Sequence, residues 1–123
     1  MTENSGLYQL HISLSDTETI DIGRLGRYPF PEGKYIYTGS AKRGLNARIE
    51  RHKRSGKKLH WHIDYFLGAK SAKITSVDIF KFQKNGECTL NQSIEGGHIA
   101  NGFGASDCRN GCKSHLAYLG NKT

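Results

Sequence analysis

A chain of 123 residues has room for one domain and hardly for two, and a domain of that size buries roughly two-thirds of its unfolded surface without staples. At 36% hydrophobic and 24% charged residues it is not composed like a disordered segment, and its apolar runs are strand-sized, which argues against a transmembrane helix or signal peptide and makes the cytoplasm the expected compartment. The net charge of +7 gathers between Lys42 and Lys58, where Lys42, Arg43, Arg48, Arg51, Lys53, Arg54, Lys57 and Lys58 are opposed only by Glu50, so a phosphate backbone is the expected partner.

In chain order, the first five residues are polar and read as a frayed terminus. Gly6 opens a strand in which Tyr8, Leu10, Ile12 and Leu14 alternate with Gln9, His11 and Ser13, the pattern of one buried face. Ser15-Asp16 reads as a turn, and Thr17 to Ile22 returns as a second strand that forms a hairpin with the first. Gly23 to Gly33 holds three glycines and both prolines, and predicts a loop or tight connection. Tyr35 to Thr38 is the next strand, ended by Gly39, with Tyr35 and Tyr37 on one face and Ile36 and Thr38 on the other.

From Arg43 to about Arg54 the spacing turns helical: Leu45 and Ile49 lie four apart, and so do Arg48 and His52 on an adjacent face. Ser55 to Lys58 breaks this helix. Trp61, Tyr65 and Phe66 then suggest a short second helix from His60 to Leu67, ended by Gly68, with His60 and Asp64 on its other face. Lys73 to Phe82 predicts a strand, Glu87 to about Ile94 a third helix, Asn101 to Gly111 a glycine-rich loop, and His115 to Leu119 a last short strand or turn. Two phenols, a guanidinium and an imidazole thus meet at one strand-to-helix corner, a set suited to binding a phosphate and moving a proton.

The three cysteines, Cys88, Cys108 and Cys112, are an odd number, which argues against a disulfide framework. Cys108, Cys112 and His115 are spaced Cys-x₃-Cys-x₂-His, with Cys88 a candidate fourth ligand of a structural zinc ion. Inert buried thiols are the commoner use of such residues. Asp107 reads as a turn residue or a further metal ligand.

The ordered motifs resemble the GIY-YIG nuclease superfamily: Gly6-Leu7-Tyr8, then Tyr37-Thr38-Gly39, then Arg48 and His52 one helical turn apart, then Glu87. More closely, the chain resembles a small branch of that superfamily found alone or fused to an endonuclease III-like glycosylase. The likeness runs through Gly33 to Ala41, Leu45, Arg48 to His52 with Arg51, His60 to Tyr65, Glu87-Cys88 and Phe103 to Cys108. It implies an α+β sandwich, a small antiparallel sheet flanked by about three helices, here with an extra N-terminal hairpin. It implies divalent-metal-dependent hydrolysis of phosphodiesters in nucleic acid, with DNA in repair or maintenance the expected substrate and a partner protein a candidate for targeting.

By that resemblance Glu87 would hold Mg²⁺ or Mn²⁺, hard cations that prefer oxygen ligands. Tyr37 would take or relay the proton of the attacking water, Tyr8 would orient water or phosphate, Arg48 would clamp the phosphate, and His52 would hydrogen-bond a phosphate oxygen or Tyr37. Lys42, Arg43 and Arg51 would grip the flanking backbone, with His60 or His62 adding a contact or a proton-transfer group. Two other readings remain open: a nucleic-acid-binding module without turnover, and a zinc-held interaction domain.

Overall fold

The computed structural model describes residues 5–41, 43–54, 61–81, 97 and 115–120. They form strands β1 (Gly6–Leu14), β2 (Glu18–Asp21), β3 (Arg27–Phe30) and β4 (Gly33–Ala41), helices α1 (Leu45–Lys53) and α2 (His62–Leu67), and strands β5 (Ala72–Phe80) and β6 (Leu116–Gly120). This is a small α+β fold. Its main sheet has four strands in the order β5-β1-β4-β6, and every described pairing is antiparallel. No helix among the described residues is long and apolar enough to cross a membrane.

The alternation in β1 aims Tyr8, Leu10, Ile12 and Leu14 at one core, where they meet Tyr35 and Tyr37 of β4, Leu45 and Ile49 of α1, and Ile63 and Phe66 of α2. The other side of the sheet centre is not solvated as a single buried face would require. Leu7, Gln9, Ile36, Thr38 and Ala117 are buried as well, and Nε2 of Gln9 donates to Oγ1 of Thr38 at 3.3 Å. Tyr35 is fully inside and its hydroxyl donates to the Pro31 carbonyl. Burial, reinforced by the neighbouring Tyr118 phenol, pushes Tyr35 well above the usual phenol range, so it remains a neutral donor.

Three expectations are corrected here. β2 does not form a hairpin with β1; it pairs with β3 in a separate two-stranded sheet, because both edges of β1 are already taken by β4 and β5. The stretch from Gly23 to Gly33 is not a plain loop: it holds a 3-10 turn at Gly23–Leu25 and then β3. Pro29 lies in β3 opposite Thr19, which a two-stranded sheet tolerates because the missing N–H costs nothing on an outer edge. Nor does Gly39 end its strand, since β4 runs on to Ala41 and pairs with β1 along its whole length. The expected third helix, the glycine-rich loop and the three cysteines lie outside the described residues.

Candidate functional site

The register of β1 on β4 builds one wall of the site. Tyr8 sits opposite Gly39, and Tyr37, two residues before Gly39, is therefore the diagonal neighbour of Tyr8 on the same face. Their ring centroids are 6.4 Å apart. Gly39 is needed for close approach: a Cβ added there would lie 2.5 Å from Cζ and Oη of Tyr8. We expect Gly39→Ala to destabilise the protein by about 1–3 kcal/mol through overpacking, and the loss to vanish when Tyr8 is also replaced by Ala. Denaturant midpoints of the two single variants and the double variant measure this; an equal loss in both backgrounds contradicts it.

Helix α1 supplies the second wall. Gly44 precedes it with φ of 69°, a left-handed conformation that costs glycine nothing and turns the chain from β4 into the helix. Leu45 and Ile49 anchor the helix in the core, and the face beside them carries Arg48 and His52. Nε2 of His52 is 2.9 Å from the Tyr8 hydroxyl, so the phenol donates to it when the ring proton is on Nδ1. The imidazole centroid is also 5.5 Å from the Tyr8 ring and 6.1 Å from the Tyr37 ring. Tyr8 and His52 are each 2% exposed and Tyr37 9%, so of these three Tyr37 is nearest to solvent.

Arg48 is half-buried; its Nη1 donates to the Ser40 carbonyl at 2.6 Å, and its guanidinium carbon lies 5.0 Å from the centre of the Trp61 ring. Arg51 meets a different partner from the phosphate backbone expected of it. Its Nη1 and Nη2 donate to Oδ1 and Oδ2 of Asp64 at 2.9 and 3.0 Å. The same guanidinium lies 4.5 Å from the Trp61 ring centre. Arg43, Lys53 and Arg54 are exposed beside these groups and carry the basic surface, while His62 opens α2 and is half-buried. Lys42, His60 and Glu87 lie outside the described residues, as do the candidate zinc ligands except His115, which is buried next to β6 with its carbonyl accepting from the Thr38 N–H.

Neither Asp64 nor Trp61 is among the site residues expected from the sequence. The signal was present in their spacing: a carboxylate three residues into a helix reaches back to the N–H at its start. Oδ2 of Asp64 accepts from the Trp61 N–H at 2.9 Å in that way.

The fold and this corner define a small α+β protein with a buried tyrosine–histidine pair behind an arginine-bearing helix. The sequence matches the family described as a domain of unknown function, DUF123, over residues 7–123, and the chain belongs to that family. No curated protein and no solved structure matches it.

Proposed function

We propose that the protein is a divalent-metal-dependent endonuclease of the GIY-YIG type that hydrolyses phosphodiester bonds in nucleic acid, with DNA in repair or maintenance as its substrate. The observation that carries this reading is the convergence of Tyr8, Tyr37, Arg48 and His52 at one β1–β4–α1 corner of a chain with net charge +7. Arg48, its guanidinium carbon 5.0 Å from the centre of the Trp61 ring, presents a positive fork that binds two phosphate oxygens and stabilises charge that builds on them during attack. Tyr37, less deeply buried than Tyr8, accepts the proton of the attacking water or passes it on. Tyr8 and His52 hold one another by their 2.9 Å contact and fix the inner side of the site. The exposed Arg43, Lys53 and Arg54 grip the flanking backbone. The described donor set of phenols, imidazole and guanidinium suits a phosphate better than a cation, because the corner's buried carboxylate, Asp64, is committed to Arg51 and Trp61. By the resemblance to the GIY-YIG nucleases, Glu87 would hold Mg²⁺ or Mn²⁺, which would neutralise phosphate charge.

One observation favours a second reading. Tyr8 and His52 are almost wholly buried, as in a nucleic-acid-binding module that keeps the aromatic cluster for packing alone. Incubation of the purified protein with branched, nicked and single-stranded DNA, with and without Mg²⁺ or Mn²⁺, separates the two. The endonuclease gives metal-dependent product that is lost in Glu87→Ala and Arg48→Ala. The binding module gives metal-independent, salt-sensitive retention and no product.

A further inference from the structure

We infer that Asp64 is a positioning residue: it holds Arg51 against Trp61, and Trp61 so held, together with the Ser40 carbonyl and the Tyr8 hydroxyl, sets where Arg48 and His52 stand. The inference rests on the reading of Arg48 and His52 as groups of the reacting site.

Asp64 is 0% exposed, and a buried carboxylate is kept only where partners compensate its lost hydration. Among the described residues, two segments supply partners to it. Nη1 and Nη2 of Arg51 come from α1, and the Trp61 N–H comes from the residue before α2. One side chain therefore fastens the end of α1 to the start of α2. Arg51 is not spent on the ion pair alone, because its guanidinium carbon also lies 4.5 Å from the Trp61 ring centre, within cation–π range. Lysine satisfies neither demand, since an ammonium has no plane and no fixed fork.

Trp61 is thus located from two directions, through its backbone by Asp64 and through its ring by Arg51. The same ring is the surface on which Arg48 lies, at 5.0 Å, and it stands 5.8 Å from the His52 ring. A long arginine side chain on a half-exposed helix face has many rotamers, and confining it beforehand lowers the entropy lost when it grips the phosphate in the transition state. A merely structural ion pair would support the fold and leave the attitude of Arg48 unchanged.

Trp61 is the single tryptophan of the chain, so its fluorescence reports the stack without interference. The experiment compares wild type with Asp64→Asn and Arg51→Lys, each alone and with Arg48→Lys, by circular dichroism, Trp61 emission, acrylamide quenching and cleavage of the DNA substrates above. In folded Asp64→Asn and Arg51→Lys we expect Trp61 emission at longer wavelength and stronger quenching. Cleavage should fall about tenfold or more in kcat with KM little changed, and adding Asp64→Asn to Arg48→Lys should cost less than about twofold further. Unchanged Trp61 emission in the folded variants overturns the inference. So does a cycle in which the two substitutions multiply independently, or loss of the folded spectrum in both Asp64→Asn and Arg51→Lys, which makes the effect one on folding. If wild type cleaves none of the substrates, the endonuclease reading falls, and Trp61 emission alone then decides the positioning role.

Discussion

If the protein is the proposed endonuclease, replacing Tyr37 with Phe should lower phosphodiester cleavage by about 10²–10⁴-fold, the usual contribution of a positioned proton-transfer group. The ring remains, so its packing beside Tyr8 and His52 at 6.4 and 6.1 Å is kept and the fold is retained; only the hydroxyl is lost. The loss should appear in kcat with little change in KM, because a proton acceptor acts in the transition state rather than in binding the backbone. Tyr8→Phe should be milder. The Tyr8 hydroxyl is engaged with Nε2 of His52 and the residue is 2% exposed, which suits orienting an imidazole better than meeting a water molecule. Single-turnover cleavage by wild type and the two variants measures both effects. Equal rates for wild type and Tyr37→Phe remove Tyr37 from the chemistry, and a larger loss in Tyr8→Phe reverses the two roles.

The distinction between the two phenols comes from burial, and burial was the part of the site least legible in the sequence. Alternation in β1 and β4 was enough to put Tyr8 and Tyr37 on consistent faces, and a spacing of four was enough to put Arg48 and His52 on one helix face, because these are local periodicities. How deep each side chain lies depends on what packs over it from distant segments, which no local period encodes. The Arg51–Asp64 pair shows the same limit. Its members are thirteen residues apart on different helices, and a basic residue in a basic helix gave no cue that it turns inward to a carboxylate. The misread N-terminal third has another cause. Ile20 and Ile22 marked a strand correctly, but the choice of partner was decided by competition for the edges of β1, and the prolines and glycines concealed β3. The main-sheet strands β1, β4 and β5 and both helices, whose periods are longer or cleaner, are visible in the sequence within a few residues of their ends, with β4 extending at both ends beyond the expected Tyr35 to Thr38.

Phe66→Ala should lower stability by about 3–5 kcal/mol, the cost of emptying an aromatic site in a packed core. Phe66 is fully buried on α2, with ring centroids 5.1 Å from Phe30 and 5.0 Å from Tyr35 and both contacts edge-on, the favoured aromatic geometry. Phe30 belongs to the two-stranded sheet and Tyr35 to the four-stranded sheet, so this one ring joins both sheets to the helix. Removing it opens a cavity that three separate elements must close together, which leaves little room for relaxation. Phe66→Leu retains most of the volume and should lose markedly less. Urea unfolding with an unchanged slope measures the difference. Because α2 also carries Asp64, the alanine variant should show increased Trp61 quenching before global unfolding, whereas Phe66→Leu should not. Loss below about 1 kcal/mol in Phe66→Ala would mean that the two sheets and α2 are held together by other contacts, and that the frame around the arginine–tryptophan stack does not depend on this ring.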